Sequence, residues 1–151
     1  MAKRICVIDG QGGSVGATVI KSLKQACGDE AELIALGTNA IATAHMLKAG
    51  AVRGATGENA ICYTVGTAAA LVGPISVTWP NAMLGEVTPR TAEAIMASPA
   101  VKVFMPLSQE DALIVGLAAS TLPALVREVV EAIGTLLVAE EPFELGLCRG
   151  A

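Results

Sequence analysis

Aromatic side chains are scarce in this chain: two Phe, one Tyr and one Trp make up 3% of its 151 residues. Proteins that hold nucleic acid use basic surface, and those that hold single strands add aromatic faces for stacking. Here the net charge is −4 and no long run of Lys or Arg occurs, so no nucleic-acid partner is expected. Charge of either sign is sparse, at 16%, whereas 53% of the residues are hydrophobic and the mean hydropathy is +0.60. That balance excludes a disordered chain. It is also apolar for one domain of this length, so part of the surface is expected to be buried against further copies, as a homo-oligomer.

Paired cysteines are missing as well. Cys6, Cys27, Cys62 and Cys148 lie far apart in sequence, which gives no zinc or redox spacing and suits a reducing compartment. A membrane span is not expected either. Residues 59–85 carry no charge, but Gly66, Gly73, Pro74 and Pro80 interrupt the stretch, and Thr64, Thr67, Ser76 and Thr78 dilute it. Short apolar strands of a parallel sheet buried on both faces produce the same text. The first apolar run, Ile5 to Ile8, ends at Asp9 and is too short for a signal peptide, so a cytoplasmic location is expected.

What is present is an alternation of strand and helix patterns. "RICVID" (4–9) and "ELIALG" (32–37) read as strands, separated by a helix over Ser14–Cys27 that Gly28 stops. Asn39 caps a second helix that ends at Gly50. "AVRGATGENA" reads as a loop, then "ICYTV" and "ALVGPISV" as strands. Thr88 followed by Pro89 starts a third helix, "VKVFMPL" is another strand, and a final helix runs from Leu122 or Pro123 to Val138. Residues 109–118 read equally as a capped helix or a last strand. Such an order predicts an α/β fold: a single three-layer Rossmann-like domain over residues 1–138 with a mostly parallel sheet, and a loosely ordered tail over 139–151.

Between the first strand and helix stands "VIDGQGGSVGA", with Gly10, Gly12, Gly13 and Gly16. Bare backbone at the start of a helix suits a phosphate, because unpaired N–H groups and the helix dipole both attract an anion. The spacing Gly10-x-x-Gly13-x-x-Gly16 is similar, over roughly the first 25 residues, to that of extended short-chain dehydrogenases and some malate dehydrogenases. No Lys follows the loop, which excludes a Walker-type site. Two features oppose a dinucleotide. The second strand ends in "ALGTNA", without the acid that usually holds the ribose hydroxyls. Asp9 also stands beside the phosphate position, where two like charges ~4 Å apart repel by ~4 kcal/mol at an effective dielectric of 20. Either a cation bridges them, or Asp9 turns away and ties the loop through backbone N–H groups.

Further polar loops lie at 37–40, 53–60 and 80–86. In a doubly wound sheet, loops at strand carboxyl ends meet in one crevice. The expected cofactor-binding set is therefore Gly10, Gln11, Gly12, Gly13, Ser14, Val15, Gly16, Thr38, Asn39, Arg53, Thr56, Asn59 and Asn81, with Arg53 as phosphate clamp. Asp9, Glu58 and Glu86 are candidate ligands for Mg²⁺. NAD or NADP heads the expected cofactors. The one histidine, His45, reads as a surface or packing residue within a helix. Thr67 stands four residues after Tyr63 where a Tyr-x-x-x-Lys catalytic pair needs lysine, and no Ser-His-Asp set can be drawn.

The blocks "VIDGQGGSVG", "IALGTNAIATAHMLKAGA", "RGATGENAI" and "GPISVTWPNAMLGEVTP" resemble an uncharacterised bacterial family described only as a domain of unknown function. The resemblance covers most of residues 4–106 and implies a self-standing Rossmann-like domain, without supplying an activity. Three readings of function remain open. The first is binding of a nucleotide or other phosphorylated small molecule, as a sensor or accessory subunit. The second is a metal-dependent enzyme on such a ligand, and the third a structural or assembly protein.

Overall fold

Strand β1 (Lys3–Asp9) sits at the centre of the sheet because both of its faces are apolar. Ile5 and Val7 point to one core, Cys6 and Ile8 to the other, and all four are fully buried. β2 (Ala31–Gly37) repeats the pattern, with Leu33 and Ala35 on one side and Ile34 and Leu36 on the other. Burial on both faces turns the usual alternation into continuous apolar text. The computed structural model describes residues 1–107 and 110–140.

The remaining strands are β3 (Arg53–Thr56), β4 (Ala70–Pro74) and β5 (Val101–Met105). All pairings are parallel and the order is β3-β2-β1-β4-β5. The chain thus winds outward from β1 in one direction, returns, and winds outward in the other, which places a crevice where β1 and β4 diverge. Helices α1 (Ser14–Cys27), α2 (Ala40–Ala49) and α5 (Leu122–Val138) cover one face. Helices α3 (Glu58–Thr64) and α4 (Pro89–Ala97) cover the other, with the loop over 79–87. The protein is a single α/β domain with an all-parallel, five-stranded sheet between helices. No helix among the described residues is long and apolar enough to cross a membrane.

Capping follows local chemistry. Asn39, Thr88 and Thr121 each accept a backbone N–H in the first turn of α2, α4 and α5. Gly28 and Gly50 end α1 and α2 at positive φ.

Four expectations need correction. "ICYTV" is not a strand: it lies in α3 and the one-turn 3-10 helix that follows. Its buried residues are Ile61 and Val65, four apart on one helical face, so the β-branched composition misleads. The strand comes earlier, as "RGAT" within the supposed loop, because an edge strand exposed along most of its length carries no apolar signature. "ALVGPISV" is strand only to Pro74, beyond which Ile75–Thr78 form a 3-10 turn. Residues 110–121 are neither helix nor strand, and 108–109 and 141–151, including most of the expected tail, lie outside the described residues.

At the crevice, β1 and β4 approach so closely that a Cβ added to Gly73 would meet the Ile8 carbonyl oxygen at 2.5 Å. Backbone of a central strand cannot yield. Gly73→Ala is expected to cost about 2 kcal/mol or more, whereas Gly66→Ala, with nothing within 4 Å, should be nearly neutral in chemical denaturation.

Candidate functional site

The candidate site grows out of the end of β1. Asp9 is buried, and its carboxylate accepts the N–H of Gly10 at 2.8 Å and of Gly16 at 2.7 Å. Gly16 is the third residue of α1, so Asp9 takes one of the N–H groups that a helix start leaves unpaired. Burial pushes the Asp9 carboxyl above its ordinary value, and the Gly16 and Gly10 amides work against that. Of the two alternatives for Asp9, the structure has the second: the side chain ties the loop.

The rest of the loop is a tight turn. Gln11 and Gly13 have positive φ, and the Gly13 N–H donates to the Gly10 carbonyl at 2.9 Å. A Cβ on Gly13 would lie 2.6 Å from the Ala42 Cα, so this glycine seats the loop on α2. Gly12 has open space around it. The amides of Gly12, Ser14 and Val15 have no acceptor among the described residues.

A second carboxylate reaches the loop from far away in sequence. Glu86 Oε1 accepts the Gln11 N–H at 3.0 Å, the Thr38 hydroxyl at 2.8 Å and the Asn39 Nδ2 at 2.6 Å. Asn39 also donates to the Gln11 carbonyl at 2.9 Å and caps α2 through Oδ1. The loop carrying Glu86 is contorted: Asn81, Met83 and Leu84 are non-glycine residues at positive φ. Its Ala82, Met83 and Val87 are buried, and Glu110 accepts the Met83 N–H at 3.0 Å. Met83 lies over Gly10, where a Cβ would meet its sulfur at 2.6 Å.

His45 reaches the loop from α2. Its Nδ1 is 3.0 Å from the Gly12 carbonyl oxygen, so Nδ1 is the donor. Beyond it, a groove of about 330 Å³ runs between α1 and α2, lined by Ser14, Thr18, Lys21, His45 and Lys48 with no acidic side chain.

The structure therefore brings Asp9, the 10–16 loop, Thr38, Asn39 and Glu86 together. Thr56 stands at the same sheet rim, bonded to Thr43 at 2.7 Å between their hydroxyls. Arg53 is the main correction. It begins β3 in register with Ile34, three residues before the rim at Thr56, about 10 Å at strand spacing. There it pairs with Glu32 at 2.9 Å, a carboxylate shared with Arg4 at 2.8 Å, and cannot clamp a phosphate at the loop. Glu58 accepts the Thr88 hydroxyl and faces Arg90 at 3.8 Å, which joins α3 to α4. Asn59 is exposed on α3, and Asn81 makes the turn of its own loop. Asp9, Glu58 and Glu86 do not converge, and among the described residues no three metal-ligating groups form a cluster. His45 and Met83 were not among the expected site residues. A histidine mid-helix gives no sign in sequence of the carbonyl it will meet, nor a methionine of the glycine it will cover.

One protein family matches residues 4–138, described as Domain of unknown function (DUF3842). The chain belongs to this family. No curated protein matches the DUF3842 chain. Four chains of solved structures do. One is the dodecameric FMN-dependent UbiX-like decarboxylase from Escherichia coli O157:H7, 16% identical, with 96% of this chain and 100% of that chain covered and a TM-score of 0.48.

Burial works to raise the Glu86 carboxyl, and hydrogen bonds from Asn39, the Gln11 amide and Thr38 outweigh it, leaving it below its ordinary 4.5. A carboxylate lowered by folding adds stability above its unfolded value and loses it as pH falls through the folded one. Glu86→Gln is expected to cost about 1 kcal/mol near neutral pH. It should also lose less further stability than wild type between about pH 5 and pH 3, measured by scanning calorimetry.

Proposed function

We propose that this DUF3842 protein binds a nucleotide or other phosphorylated small molecule at the start of α1, as a sensor or accessory subunit. The observation that carries the reading is the accounting of amides in the glycine loop. Those of Gly10 and Gly16 go to Asp9, that of Gln11 to Glu86 and that of Gly13 to Gly10, while those of Gly12, Ser14 and Val15 have no acceptor among the described residues. A helix start with unpaired donors attracts an anion. Lys21 and Lys48 line the adjoining groove and add positive charge that Arg53 does not supply. Asp9 turns its carboxylate onto the Gly10 and Gly16 amides, whose dipoles offset part of the repulsion that its charge exerts on a phosphate. A dinucleotide such as NAD or NADP laid across Gly10 toward β4 would meet Met83, so the reading favours a ligand of mononucleotide size.

Thermal denaturation tests this with ATP, ADP, AMP, pyrophosphate and phosphate. A ligand at 100 times its dissociation constant stabilises by ~2.7 kcal/mol. Gly12→Asp places a carboxylate in open space beside the three amides, and should abolish that shift while leaving the unliganded melting temperature within about 1 kcal/mol equivalents of wild type. No shift with any of the five compounds would overturn the reading.

We also infer a homo-oligomer. Leu113 and Val115 are 89% and 90% exposed in the irregular segment whose Glu110 holds the Met83 amide, and Leu84 beside Met83 is 98% exposed. Large apolar side chains this exposed are expected to be covered by another copy. Light scattering should give a multiple of 15.2 kDa, which Leu113→Glu with Val115→Glu reduces. A wild-type monomer at every concentration would contradict the inference.

A further inference from the structure

Arg53 and Tyr63 have no part in the glycine loop, yet the fold brings them together elsewhere. A hollow of about 220 Å³ opens between β3 and α3, lined by Arg4, Ile34, Arg53, Ala55, Tyr63 and Thr67 among others. Strand register puts Arg4 opposite Glu32 and Arg53 opposite Ile34, all on the sheet face that α3 covers. Glu32 accepts Arg4 Nε at 2.8 Å and Arg53 Nη2 at 2.9 Å. The bond from Arg4, helped by that from Arg53, holds the Glu32 carboxyl below its ordinary 4.5 against the effect of burial. Two guanidiniums therefore share one ionised carboxylate, and one positive charge is left over. No acidic side chain lines the hollow. Arg4 spends its remaining nitrogen on the Thr67 hydroxyl at 2.8 Å. Arg53 does not: its Nε and Nη1 have no acceptor among the described residues, and its side chain is 68% exposed.

The rest of the lining is apolar in character. Ile34 is buried and Ala55 packs on the same core. Tyr63, the chain's one tyrosine, is 80% exposed although it lines the hollow, so the fold itself leaves its ring uncovered.

We propose that this hollow binds a small aromatic carboxylate, its carboxylate on Arg53 and its ring against Ile34, Ala55 and Tyr63. The inference goes beyond the phosphate reading and does not rest on it. A planar guanidinium with free N–H groups matches a carboxylate in shape as well as charge. One surplus positive charge balances a monoanion. A phosphate monoester carries nearly two negative charges at neutral pH, and the second would stand uncompensated near Glu32. Pockets for drug-sized ligands run from about 300 Å³ upward, so a hollow of about 220 Å³ suits a single ring.

The experiment follows backbone amide shifts of ¹⁵N-labelled protein during addition of benzoate, benzamide, acetate and phenyl phosphate, each up to about 10 mM, the range expected of so small a ligand. Benzoate is expected to give saturable shifts at Gly54, Ala55 and Thr67. Benzamide lacks the charge and acetate lacks the ring, and each should bind about tenfold more weakly or not at all. Arg53→Gln should weaken benzoate about tenfold, and Tyr63→Ala about threefold. Arg53 is exposed, and an exposed ion pair adds little stability, so the variant is expected to fold. No saturable benzoate shift at those amides, benzamide or acetate binding as tightly as benzoate, phenyl phosphate binding there more tightly, or full benzoate affinity in Arg53→Gln would each overturn the proposal. The four-compound comparison on wild type decides the matter even if a variant fails to fold.

Discussion

The candidate site depends on one buried carboxylate. Asp9 ends the central strand and grips two backbone amides, one beside it and one in the first turn of α1. That grip ties the end of the strand to the first turn of the helix. Burying a carboxylate costs several kcal/mol, on the order of what two charge-assisted hydrogen bonds to fixed donors return. The balance shows in the direction of its pKa, raised by burial against the pull of the two amides. With Asp9 on Gly10 and Gly16, Glu86 on Gln11 and the Gly10 carbonyl on Gly13, the amides of Gly12, Ser14 and Val15 are left without an acceptor among the described residues.

The second constraint is the loop over 79–87. Non-glycine residues at positive φ each cost on the order of 1–3 kcal/mol and persist only where packing holds them. Here the holding is visible: Ala82, Met83 and Val87 in the core, Glu110 on the Met83 amide, and Glu86 on three donors. What the contortion achieves is delivery of Met83 over Gly10 and of Glu86 to the end of β2. The crevice is thereby closed on the β4 side and left with its polar edge on the β1–β2 side.

Much of this was legible in the residues. Continuous apolar text marked β1, β2 and β4, the Asn39 and Thr88 caps marked two helix starts, and the glycines marked the turn. β3 was not, because an exposed edge strand reading "RGAT" has neither apolar run nor alternation. α3 was hidden by β-branched residues whose burial has helical spacing. Arg53 looked like a clamp because polar loops at strand ends converge, but it stands at the start of its strand, not the end. Glu86 was read as a metal ligand, and its true neighbours, Gln11, Thr38 and Asn39, lie 75, 48 and 47 residues away. Pairings at that separation are set by the tertiary fold and leave no local pattern.

The central claim is that the amides of Gly12, Ser14 and Val15 receive the phosphate of a ligand. Amide chemical shifts in a ¹⁵N-labelled sample, followed while AMP is added, test it residue by residue. The account predicts saturable shifts at those three amides, smaller ones at Gln11 and Asn39, and none in the hollow lined by Arg4, Arg53 and Tyr63. Shifts confined to that hollow or to Lys21 and Lys48, with the three loop amides unmoved, would contradict it.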